Sequence, residues 1–128
     1  MPSRVLVITS SFDLTTDYLL IKFNEIDFFR FNVDLFHDYE VTIDEKNVII
    51  ESPNRSCELN NIDAIYYRKP SLPNFSGILD DVYHSFAQKE IFSVIESVIE
   101  SYSGRCISKP SLLRIANNKV VQCLMAKK

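Results

Sequence analysis

Two glycines in 128 residues, Gly77 and Gly104, limit what this chain can fold into more than any other feature of its sequence. A chain of average composition would hold about nine. The common phosphate-binding loops need clustered glycines, for tight turns and for close approach of the backbone to the phosphates. Gly77 and Gly104 stand far apart and alone. A self-contained P-loop nucleotidase and a standard dinucleotide-binding domain are both disfavoured from the outset.

The length fits one domain, residues 1–128, that can bury roughly two-thirds of its unfolded surface without disulfides or metal. Apolar residues make up 46% of the chain, enough for a sizeable core, and the net charge is −3 with acidic and basic residues interleaved. That balance lacks the basic footprint from which nucleic-acid affinity comes. No apolar run approaches the ~20 residues that span a bilayer. Met1-Pro2-Ser3-Arg4 leads into a short apolar strand with no small-residue cleavage site, so no signal peptide is read and a cytoplasmic location is expected. Cys57, Cys106 and Cys123 are odd in number and widely spaced, as expected of reduced, mostly buried thiols rather than a zinc site or disulfide framework.

Along the chain, Arg4–Thr9 is a continuous β-branched run, the pattern of a strand buried on both faces. Ser10–Asp13 is a polar turn, and Thr15, Thr16 and Asp17 supply cap and first-turn residues for a helix through Tyr18, Leu20, Ile21 and Phe23. Phe28–Asn32 predicts a second strand. Tyr39–Asp44 and Val48–Glu51, joined by Glu45-Lys46-Asn47, predict a β-hairpin, with Cys57–Leu59 a short strand after it. Ala64–Tyr67 predicts a buried strand that stops at Arg68-Lys69-Pro70-Ser71-Leu72-Pro73-Asn74, a loop stiffened by two prolines. Apolar residues at helical spacing (Tyr83, Ala87, Ile91, Val94, Ile95, Val98, Ile99, Tyr102) predict a long helix from about Asp81 to Tyr102, stopped at Ser103-Gly104. Arg105–Ser108 predicts a last strand, and Leu113, Ala116, Val120, Val121 and Leu124 a last helix. That helix runs into Lys127-Lys128 without a stop signal, so the chain is expected to be a piece of a longer protein. The order predicts an α/β fold: a mostly parallel open sheet flanked by helices, Rossmann-like, with a small antiparallel hairpin insertion. Ligands of such sheets lie at the carboxyl ends of strands. Ser10–Asp13, Arg68–Asn74 and Ser108–Ser111 are therefore expected along one edge.

Arg68 and Lys69 follow a buried strand and are held by Pro70 and Pro73, a rigid corner suited to a carboxylate or phosphate. On pattern alone the reading in which the two cations pair with the chain's own acids or face water outweighs this one. On pattern alone Lys119 is an exposed lysine of an amphipathic helix. His37 and His84 have no partner motif and read as surface or partly packed residues. Ser10-Ser11 with Asp13 lacks the glycine frame of a nucleophile elbow and is assigned no catalysis. Glu90 is expected to pair with a nearby cation such as Arg68. A phosphoacceptor receiver domain is rejected, because Ser10-Ser11 and Tyr67-Arg68 stand where its carboxylate cluster would be.

Three segments, taken in order, carry a resemblance: Val5–Thr9 with Ser10–Thr16, Tyr66-Tyr67-Arg68-Lys69-Pro70, and Ser108–Ser111 with Asn117-Asn118-Lys119-Val120-Val121-Gln122. Over nearly its whole length the chain resembles the N-terminal (pre-ATP-grasp) domain of ATP-grasp ligases, within them the ribosomal-peptide maturases of the microviridin or graspetide type. Where that family often carries tryptophan before Arg-Lys-Pro, this chain has Tyr66-Tyr67. The resemblance implies an enzyme that uses ATP and Mg2+ to activate side-chain carboxylates of a precursor peptide as acyl phosphates. A hydroxyl or amine of the same peptide then attacks. It implies that Lys119 reaches the nucleotide phosphates, that Arg68 and Lys69 face the substrate cleft, and that a downstream ATP-grasp domain holds nucleotide and metal. The chain alone is then expected to be inactive and to bind no nucleotide tightly, and homodimers fit such ligases. The competing reading is a stand-alone α/β dimerisation or peptide-docking module without chemistry.

Overall fold

The computed structural model describes residues 3–68, 70–75 and 77–107. Four parallel strands form the main sheet: β1 (Arg4–Thr9), β2 (Asp27–Asn32), β6 (Ala64–Tyr67) and β7 (Arg105–Ile107), in spatial order β2-β1-β6-β7. β1 is central, and Leu6, Ile8 and Val7 are almost wholly buried, as its unbroken β-branched run requires. Helix α1 (Leu14–Lys22) connects β1 to β2, and α2 (Asp81–Ser101) connects β6 to β7. Parallel crossovers are right-handed. Because one crossover steps outward to β2 and the other to β7, the two helices lie on opposite faces of the sheet.

The α2 face holds the core. Leu6, Ile8, Phe29, Phe31, Ile65 and Tyr67 of the sheet meet Ile91, Ile95, Val98 and Ile99 of the helix. The inserted segment forms its own antiparallel sheet, β3 (Glu40–Ile43), β4 (Val48–Glu51) and β5 (Ser56–Glu58), and adds Val48, Ile50 and Cys57 to that core. The expected hairpin is therefore a three-stranded sheet of its own. The Cys57 thiol is pushed up to about 11 by burial, so it stays a thiol inside an apolar layer.

Three local points differ from the sequence reading. The cap of α1 is Asp13, just ahead of the expected Thr15–Asp17, because its carboxylate accepts the amides of Thr15 and Thr16. The apolar row of α2 splits: its C-terminal part is core, whereas Tyr83 is exposed together with Val82 and Phe86. Gly104 is not a left-handed helix stop. The ring of Tyr102 lies where a Cβ would be, 2.5 Å from its hydroxyl, and that hydroxyl donates to the Ile62 carbonyl. Gly77, at φ +81°, does occupy the left-handed region, in the turn before α2.

Candidate functional site

The strand order reverses between β1 and β6, where the chain leaves to opposite faces. In open α/β sheets such a switch point opens a crevice at the carboxyl ends of the strands, and ligands bind there. The loops that border it are Ser10–Asp13 after β1 and the segment from Arg68 after β6. They are stitched together: the Ser71 amide donates to Ser10 Oγ at 2.8 Å, and the Arg68 amide to the Ile8 carbonyl at 2.8 Å. The third expected segment of this edge, Ser108–Ser111, lies outside the described residues, as do Lys69 and Lys119.

Asp13 is the hub. Its Oδ1 accepts the amides of Thr15 (3.0 Å) and Thr16 (3.3 Å) and Nη2 of Arg68 (3.2 Å). Its Oδ2 accepts Thr9 Oγ1 (2.6 Å), Thr16 Oγ1 (2.8 Å) and Arg68 Nε (3.0 Å). The Arg68 hydrogen bonds, helped by the two threonine hydroxyls and opposed by burial, hold the Asp13 carboxyl well below the usual carboxylate range. The same pairing raises the Arg68 value.

Arg68 is thus bound side-on, through Nε and Nη2. Its Nη1 donates to the Tyr66 hydroxyl at 3.4 Å, and the guanidinium carbon lies 5.7 Å from the Tyr66 ring centre. Among the described residues, Asp13 and Tyr66 are the side chains bonded to it, and the end-on edge between Nη1 and Nη2 takes no carboxylate. Glu90 does not pair with it. That residue is exposed on α2, across the sheet from the α1 side on which Arg68 meets Asp13.

A second arginine braces the loop from below. Arg30, whose side chain is 16% exposed, pairs with Asp17 of α1. Its Nη2 donates to the carbonyls of Ser10 (2.8 Å), Ser11 (3.2 Å) and Asp13 (3.3 Å). Asp34 accepts both the amide and the hydroxyl of Ser11. From sequence Asp13 is weighed only beside Ser10-Ser11 and assigned no catalysis, and Arg30 is not singled out. The available signals were an aspartate just before a helix opening on Leu-Thr-Thr, and a lone cation inside the apolar run Phe28-Phe29-Arg30-Phe31.

The first-turn amides of α1, the natural anion seat of such a helix, are already taken by the Asp13 carboxylate. No cluster of three metal-ligating side chains occurs among the described residues. No helix among them is long and apolar enough to cross a membrane. His37 is exposed beside Asp38, and His84 packs edge-on against Phe75.

What the fold and crevice define is an open, doubly wound α/β domain with a polar, arginine-bearing switch point. Residues 4–113 match the family model of the MvdD pre-ATP grasp domain, and the chain belongs to that family. Among solved structures it is similar to the macrocyclase MdnC of Microcystis aeruginosa MRC, bound with the precursor peptide MdnA: 26% identity, TM-score 0.78, covering 97% of this chain and 43% of that one. The RiPP-associated ATP-grasp ligase of Chryseobacterium gregarium, in complex with ADP and a leader and core peptide, shares the fold at 24% identity and TM-score 0.69, covering 98% of this chain and 40% of that one. The macrocyclase MdnB of Microcystis aeruginosa MRC does so at 22% identity and TM-score 0.74, covering 98% and 44%. The chain therefore spans less than half the length of each of these. None of the curated protein sequences matches.

Proposed function

We propose that this chain is the N-terminal, substrate-facing domain of an ATP-dependent ligase that joins side-chain carboxylates of a ribosomally made precursor peptide to hydroxyl or amine groups of the same peptide. In that reaction the carboxylate is activated as an acyl phosphate at the expense of ATP, with Mg2+, and attack by the hydroxyl or amine expels phosphate. Family membership over residues 4–113 and the shared fold with MdnC support the reading. Nucleotide and metal chemistry is assigned, as family membership implies, to a downstream ATP-grasp domain, with Lys119 reaching toward the phosphates. The role of this domain is to hold peptide. Arg68, and Lys69 beside it, bind a carboxylate of the peptide.

One observation carries the assignment most directly: a guanidinium stands at the switch point with its end-on edge unclaimed by the carboxylate that fixes its other edge. The test is expression of this chain together with the reading frame that follows Lys128, incubated with the associated precursor peptide, ATP and Mg2+. Loss of one water per crosslink in the peptide mass is the expected result, and Lys119→Ala impairs it. A peptide that is never dehydrated, with ATP hydrolysis indifferent to peptide, would overturn the proposal.

A second reading, a docking module without chemistry, is favoured by the exposed apolar side chains Leu14, Tyr18 and Ile21 on α1 and Ile78, Val82, Tyr83 and Phe86 at the start of α2. It predicts self-association that is lost when those positions are made polar.

A further inference from the structure

Asp13 makes more contacts than a helix cap requires. A cap needs one or two amides. Asp13 takes two amides and then four further donors, two from threonine hydroxyls and two from Arg68. Both threonines are themselves buried, Thr9 at 1% and Thr16 at 0% exposure, so the carboxylate rests on a floor that cannot move without disturbing the sheet. From the other side, Arg30 ties the Ser10, Ser11 and Asp13 carbonyls, so the loop that bears the carboxylate is fixed as well.

A free arginine side chain samples many rotamers and loses that freedom when it binds a ligand. A carboxylate that fixes one edge of the guanidinium removes that cost beforehand and leaves the opposite fork aimed at one place. Side-on pairing through Nε and Nη2, as here, leaves a second hydrogen on Nη2 and, beside the long bond from Nη1 to Tyr66, one on Nη1, a fork that matches a second carboxylate. Tyr66 adds a hydroxyl 3.4 Å from Nη1 and a ring centred 5.7 Å from the guanidinium carbon.

We infer that Asp13 is a positioning residue: it locks the Nε edge of Arg68 so that the Nη1–Nη2 edge meets a carboxylate of the peptide substrate at the switch point. The inference rests on the substrate role of Arg68 proposed above.

The test uses the ligase containing this chain, with the KM for peptide, the KM for ATP and kcat measured separately. The variants are Asp13→Asn and Asp13→Ser, both good helix caps that lack the charged fork, together with Arg68→Ala and the double variant Asp13→Asn/Arg68→Ala. Asp13→Asn and Asp13→Ser are expected to raise the KM for peptide about tenfold while kcat and the KM for ATP stay within about twofold. The double variant should be no worse than Arg68→Ala alone, since a positioning residue has nothing left to position. If Arg68→Ala raises the KM for peptide and both Asp13 variants leave it unchanged, the inference falls and the substrate role of Arg68 stands. If Arg68→Ala itself leaves the KM unchanged, that role falls and the inference with it. A further loss in the double variant would show Asp13 acting independently of Arg68, and the inference falls.

Discussion

The two helices flank the same sheet but are held to it by different forces. α2 buries Ile91, Ile95, Val98 and Ile99 in the main core. α1 buries Thr16 alone and turns Leu14, Tyr18 and Ile21 to the surface. What secures α1 is polar: the Asp13 cap, the threonine hydroxyls, and the Arg30–Asp17 pair. Apolar burial is non-directional, whereas hydrogen-bonded ion pairs fix angles. The difference teaches that the α2 side supplies stability and the α1 side supplies geometry, and the switch-point crevice lies on the side built for geometry.

Substitutions should therefore separate the two sides by size of effect. Truncation in the α2 core should cost most: Ile95→Ala is expected to lower unfolding free energy by about 2–5 kcal/mol in denaturant titration, and a loss under 1 kcal/mol would remove the contrast. On the α1 side, Asp13→Ala should cost about 1–2 kcal/mol, and Asp13→Asn clearly less, because asparagine still caps. Acid sharpens the same point. Asp13 has a folded-state value below its unfolded value of about 3.9, so its stabilisation is fully present above that pH and is lost as pH falls toward the folded value. Comparing wild type with Asp13→Asn, the gap in unfolding free energy should be constant from neutral pH down to about 5 and close below about 4. The smallest effect belongs to the outer face of α1, where Ile21→Gln at a 78% exposed position should change stability by no more than about 0.5 kcal/mol.

Most of the fold was legible because its signals are local. The β-branched run at Arg4–Thr9 and the strand at Ala64–Tyr67 fall where the pattern puts them, and α2 begins at Asp81 as its spacing predicts. Less legible was anything set by partners distant in sequence. The hairpin became a separate three-stranded sheet through the pairing of β4 with β5, and Tyr83 fell on the exposed stretch of an otherwise apolar stripe. At the crevice, the cation Arg68 could be read from its place after a buried strand and before a proline. Its carboxylate partner could not, since Asp13 lies 55 residues away and only the parallel pairing of β1 with β6 brings the two loops together.

The claim that Arg68 has one edge fixed by the fold and one presented to substrate can be read at the guanidinium itself. The measurement is 15N NMR of the Arg68 side chain in this chain, with the precursor peptide titrated in. The account expects the Nη resonances to shift with peptide while the Nε–H resonance keeps its position and its protection from exchange with water. Loss of Nε–H protection as peptide binds would show the peptide displacing Asp13, and no Nη shift at saturating peptide would show that Arg68 does not meet it. Either result would contradict the account.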